Sequence, residues 1–382
     1  MSSGALPPPF AGFSAQEMAR RRHALEAVME SEGLEHVVLY GANRSGAAVS
    51  WLTGWPVTRE AHVLVTRGAP DVLLVSFYNH VPEARRRAPD ADVRFAGDDP
   101  AATVVGLLPA GAPVGFVGSL PWDQHAALSE GRRLVPLNRA HTRLRLVKSA
   151  EELAALRDAA ALTDAAATAL VEGPLVGCTE HELAARIEAA YVARGGMHHI
   201  HYVGVTPMSA PDRSVPAQWP SARPVAAGDL LTFELSAAVA PEYSGQLLRS
   251  VAVAAEPTDQ VLRLHEVAAA ALDAVAARLR PGVHAQELVD AAAVIEDAGF
   301  TTVDDLVHGF GGGYLPPVIG SRSRAIRPTP DMTLEAGMTV VVQPNVATQD
   351  GTLGVQTGEL LLVTAHGPER LHTFPRGLVR TA

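Results

Sequence analysis

The chain has 382 residues and a formal net charge of −10, with 47% hydrophobic and 19% charged residues. That length exceeds one ordinary core and predicts two domains in a soluble globular protein. The acidic balance supplies no basic footprint, which excludes nucleic acid as an expected partner. A single cysteine, Cys178, excludes an internal disulfide framework and fits a reducing cytoplasm. No long uninterrupted apolar run and no charged, then apolar, leader occur, so neither a membrane span nor a signal peptide is expected.

Residues 1–13 are rich in Pro and Gly and read as a loose arm. Ser14, with Glu17 three residues on, marks a capping box ahead of an amphipathic helix to Glu32. HVVLYG, SWLTGW, AHVLVTRG, DVLLVSF and PVGFVG then read as short strands separated by helices, an α/β domain over residues 14–147. A second capping box, Ser149 with Glu152, opens an alanine-rich helix, and Thr179 caps another that stops at Gly195–Gly196. Strands follow at HHIHYVGV, DLLTFELSAAV and YSGQLLRSVAVAA. Thr258 caps a long helix ending before Pro281, HAQELVDAAAVIEDAGF reads as a further helix, and the last third is β-rich.

Four segments between Gly228 and Thr364 carry the functional reading: GDLLTFELSAAVAPEYSGQLLRS, LVHGFGGGYLPPVIG, LEAGMTVVVQPNV and GVQTGELLLVT. Their order and spacing resemble the catalytic half of the pita-bread family, which includes aminopeptidase P, prolidase, methionine aminopeptidase, creatinase and ectoine hydrolase. The junction LRLVKSAEE and the N-terminal SWLTGW are similar to the same family. The resemblance implies a two-domain α/β (α+β) fold, with the pita-bread domain over residues 148–382. In the metallopeptidase members it implies an Asp, a second Asp, a His and two Glu holding two divalent metals. Here the first carboxylate position falls on Glu234, if one residue is inserted before Tyr243, and the second on Gln246, three before Arg249. The imidazole position, four after His308, is Gly312, and no His stands near Val318 or Ile319. Gln343 occupies one bridging Glu position; Gly358 occupies the other, with Glu359 adjacent.

Amides bind hard cations weakly and glycine offers no side chain, so no metal and no cofactor are expected. Creatinase, which works without metal, resembles this chain at His308. Its other groups fall on Pro216 or Ala217, Leu248 and Gln343, so its own mechanism does not transfer. What remains for chemistry is His308 as acid or base, and Glu234 and Glu359 as bases with raised pKa if desolvated. Gln246, Gln343, Arg249, Arg322, Arg324, Arg327, Tyr202 and Trp219 are the expected substrate contacts, amides pairing with nitrogenous groups and arginines with carboxylates.

Other features point less far. His198, His199 and His201 form a conspicuous cluster in which strand alternation sets His199 and His201 on one face, but no carboxylate or cysteine is evident to complete a metal site. GFGGGYLPP lacks the lysine and setting of a phosphate loop, and Cys178 has no neighbouring base. The resulting expectation is a metal-independent hydrolase of a C–N bond in a small polar nitrogenous substrate, working as a cytoplasmic homodimer with Arg59 or Trp55 as candidate cross-subunit contacts. The alternatives are a proton-transfer or elimination enzyme, a silent pseudo-peptidase that binds a partner, a metallo Xaa-Pro peptidase, and a mononuclear metalloenzyme using Glu234, Gln246, His308 and Glu359.

Overall fold

A computed structural model describes residues 10–43 and 45–381, so residues 1–9 of the expected arm lie outside the described residues. The chain divides into two compact units, Ala11–Arg145 and Leu146 onward. The first holds a six-stranded mixed sheet. Its spatial order is Asp92–Phe95, Val72–Val75, Glu60–Thr66, His36–Ala42, Val114–Val117 and Leu134–Pro136. Apolar clusters cover both faces: Val37, Leu39, Val63 and Leu73 lie in one, Val38, Leu64 and Leu74 in the other. The Ser14 hydroxyl accepts from Glu17 N and starts the helix Ala15–Ser31.

SWLTGW is not a strand. It ends a helix, Ala48–Thr53, closed by Gly54 at φ 71°, whose N–H donates to the Ser50 carbonyl. A short apolar run reads the same in a buried helix and a buried strand; the left-handed glycine cap decides here.

The second unit is built on a ten-stranded sheet. Its main path runs Tyr314–Ile319, Val307–Phe310, Thr339–Val342, Gly358–Thr364, Leu247–Ala252, Asp229–Ala240 and Met197–Pro207. Full capping boxes open the helices Ala150–Glu172 (Ser149 with Glu152) and Glu180–Val192 (Thr179 with Glu182). Thr258 caps Asp259–Ala276, whereas HAQELVDAAAVIEDAGF forms two short helices, Ala285–Ala291 and Val294–Asp297, rather than one.

Alternation along the strands fixes what each face holds. Leu231, Phe233 and Leu235 pack with Leu162, Leu170 and Ile187 of the first helix pair. Val307, Val340, Val342, Leu361 and Val363 pack with Val261, Leu264 and Leu272 of the third helix. Glu234, His308 and Gln343 therefore turn to the opposite face. Among the described residues no helix is long and apolar enough to cross a membrane. The architecture is a two-domain mixed α/β pita-bread fold.

Candidate active site

On the face away from the helices, Glu234, Gln246, Gln343 and His308 come together. Gln246 Nε2 donates to Glu234 Oε1 at 2.6 Å and to Gln343 Oε1 at 3.2 Å. Gln343 Nε2 donates to Asp305 Oδ1 at 3.1 Å, and the Tyr314 hydroxyl donates to Asp305 Oδ2 at 2.8 Å. The chain of polar contacts thus runs from one half of the sheet to the other. Gln246 Oε1 is buried and accepts no hydrogen bond from any described residue. His308 stacks on Tyr314, with ring centroids 4.4 Å apart.

The sequence reading missed Asp304 and Asp305. They precede the strand Val307–Phe310, and Asp305 is only 4% exposed. The available signal was two adjacent acids directly before a buried apolar strand, where unpaired charge is costly. They matter electrostatically. Burial, with repulsion from Asp304 and Asp305, pushes Glu234 up to about 8 despite the Gln246 hydrogen bond. Burial and its hydrogen bond and charge interaction with Asp305 lift Asp304 well above the usual carboxylate range. Burial pushes His308 down to about 4, against the favourable influence of the Gly309 carbonyl and Asp304. At neutral pH Glu234 is mainly the protonated acid and His308 a neutral imidazole, which corrects the expectation of a histidine titrating near neutrality. Tyr202 sits opposite Glu234 in the paired strand, and burial, Glu234 and Asp304 raise its hydroxyl.

Glu359 is elsewhere. It shares the parity of Leu361 and Val363 and so lies on the helix side, with 0% exposure. Arg249 Nη2 donates to it at 3.0 Å, Arg370 Nε at 2.6 Å and Arg376 Nη2 at 2.7 Å. Burial alone would raise this carboxyl, but Arg370, Arg249 and Arg376 overcome it and hold Glu359 at about 2. The expected raised pKa is therefore reversed. Arg249, also 0% exposed, is spent on Glu359 and on the carbonyls of Leu248, Gly358 and Pro375, which leaves nothing for a substrate.

The loop arginines do not converge on the site either. Exposed Arg322 pairs with exposed Asp290 at 2.9 Å, and Arg324 donates to the Thr302 carbonyl. Arg327 is exposed, although its charge reaches Tyr314. Trp219 is 84% exposed. Replacing Arg322 with Ala should change stability by no more than about 0.5 kcal/mol, because exposed ion pairs are screened, and should leave KM unchanged in steady-state assays.

Two bridging metals need convergent carboxylates and an imidazole. Here Gln246 and Gln343 turn amide hydrogens on Glu234 and Asp305, and the Gly312 and Gly358 positions have no donor. A Cβ on Gly358 would lie 2.7 Å from the Val342 carbonyl oxygen and 2.9 Å from Gln343 Cβ, so Gly358 faces the Gln343 side of the sheet, opposite Glu359. This donor set does not fit a dinuclear centre.

The ten-stranded sheet, with helices on one face and the buried polar cluster on the other, defines a pita-bread domain of the aminopeptidase P and prolidase type. Residues 154–365 match the model of metallopeptidase family M24, and the chain belongs to that family. It is 28% identical to the probable dipeptidase PepE of Mycobacterium tuberculosis, over 96% of this chain and 97% of that protein. The crystal structure of dipeptidase PepE from Mycobacterium ulcerans superposes with a TM-score of 0.78 at 25% identity, covering 97% of this chain and 99% of the other. Prolidase from Thermococcus sibiricus gives a TM-score of 0.82 at 20% identity, covering 96% and 100%. These relatives are hydrolases.

Proposed function

We propose that the chain is a metal-independent member of its hydrolase family that cleaves a C–N bond in a small, nitrogen-rich, positively charged substrate. The observation that carries the reading is the buried carboxyl cluster. Glu234 is held protonated at neutral pH beside Asp304 and Asp305, with a buried amide oxygen of Gln246 that accepts from no described residue. The named relatives, dipeptidases and prolidases, support the C–N bond as the one broken.

In this reading the ionised fraction of Asp304 takes a proton from the attacking water, and Glu234 donates its proton to the leaving nitrogen. Gln343 and Tyr314 hold Asp305 in place, and burial and the contact with Asp305 raise Asp304 towards the range of a general base. A cationic group beside Asp304 favours its ionised form, the base, and releases its proton on binding while Glu234 keeps its own; the N–H of that group meets the Gln246 oxygen. The reading includes a homodimer in solution, measurable by light scattering; a fully active monomer removes that part of it.

The test is hydrolysis of a panel of small amides, dipeptides and guanidino compounds by the full-length protein, with and without a chelator. Turnover that persists in chelator, and proton release when a cationic substrate analogue binds in calorimetry, are the expected results. Turnover lost in chelator and restored by zinc or manganese, with the fold unchanged by circular dichroism and the same response in Glu188→Gln, overturns the metal-independent mechanism. Binding without turnover of any compound leaves the silent binding protein in its place.

A further inference from the structure

The histidine cluster on the strand Met197–Pro207 is arranged differently from simple alternation. The register of this strand against Asp229–Ala240 shifts between His198 and Ile200, the mark of a β-bulge. The bulge turns His198 to the same side as His201, the helix side, and leaves His199 on the other side with its ring 5.7 Å from Phe310. The rings of His198 and His201 meet edge to face at 4.4 Å. The carboxylate absent from the local sequence arrives from the helix Glu180–Val192: Glu188 Oε1 lies 3.6 Å from His201 Nδ1.

His201 is only 8% exposed, and its Nδ1 is buried with no hydrogen-bond partner among the described residues. At 3.6 Å the carboxylate is too far to satisfy it. Its other nitrogen, Nε2, is 3.0 Å from the Tyr191 hydroxyl. With Nε2–H donating to the Tyr191 hydroxyl, the ring is fixed and Nδ1 presents its lone pair, the arrangement by which outer partners orient metal-binding histidines.

We propose that Glu188, His198 and His201 form a mononuclear site for a divalent transition-metal ion of the zinc class, separate from the carboxyl cluster around Glu234. One ligand atom from each of the three residues lies within 4.8 Å of the others. A tetrahedral ion with bonds of about 2.0–2.1 Å sets its ligand atoms about 3.3 Å apart, so a modest inward movement closes the site. Glu188, with a side chain 51% exposed, has the freedom to make it. Two imidazoles and a carboxylate suit zinc, cobalt or nickel rather than calcium or magnesium, and three protein ligands leave one position open. The ion would tie the second helix to the last strand of the ten-stranded sheet and so stabilise the folded chain.

The test titrates metal-stripped, full-length protein with Zn²⁺ by calorimetry and with Co²⁺ by visible absorption. One equivalent per chain is expected, with the intense d–d bands of a four-coordinate cobalt ion. Glu188→Gln and His198→Gln are each expected to weaken binding by roughly tenfold or more. Both sit at or near the surface, so neither should unfold the protein, and circular dichroism checks this. Glu234→Gln should leave the affinity unchanged. Absence of saturable binding, or binding that survives both surface variants, overturns the site. Loss of binding in Glu234→Gln alone moves the ion to the pocket and overturns it equally.

Discussion

Replacing Glu234 with Gln is expected to abolish turnover while making the protein more stable in alkali. The amide keeps the shape and one hydrogen-bonding oxygen but carries no transferable proton, so kcat should fall by about 10² or more. The stability effect follows from the same proton. An unfolded glutamate ionises near 4.5, whereas the folded Glu234 holds its proton to about 8. Between those values the folded chain binds a proton that the unfolded chain has released, so wild-type stability falls as pH rises through this window. Glutamine has no such penalty. Denaturant midpoints near pH 5 should nearly coincide, and by about pH 9 the variant should lead by on the order of several kcal/mol. Curves that stay parallel would show that Glu234 titrates normally and remove the protonated acid from the mechanism.

Glu359→Gln is expected to do the opposite. It leaves Arg249, which is 0% exposed, without its counter-charge, and breaking a buried pair from one side costs about 3–5 kcal/mol. Because Glu359 is depressed to about 2 in the fold, its contribution is present above about pH 4.5 and fades as pH falls towards 2. The gap between wild type and variant in thermal unfolding should therefore be full at neutral pH and close in acid. Turnover per folded molecule should survive, since the side chain lies on the other face of the sheet from Glu234. A variant that folds normally yet is inactive would return Glu359 to the pocket.

These two glutamates also mark what the sequence could tell. The spacing of four motifs led to the fold, and four of the residues they single out, Glu234, Gln246, Gln343 and His308, share one face of the sheet. Glu359 and Arg249 were drawn in by proximity in sequence, although strand alternation alone opposes both. Glu359 is one residue out of phase with Gly358, and Arg249 shares the phase of Leu247 and Val251, which pack with the helices. Asp304 and Asp305 escaped because no motif position covers them, and the pKa of Glu234 cannot be read without them. The histidine cluster was visible in the sequence, but not its arrangement. Its geometry depends on a bulge, which breaks the period-two rule by one residue, and on a carboxylate from a neighbouring helix.

Gly358 bears on how such a pocket could change. A carboxylate restored there alone would meet the Val342 carbonyl and the Gln343 side chain before it reached any ion. Restoring one at residue 343 alone would place a third acid beside Glu234 and Asp305, whose charges already repel. Packing at residue 358 and charge at residue 343 thus each oppose a carboxylate where the sheet carries Gly358 and Gln343.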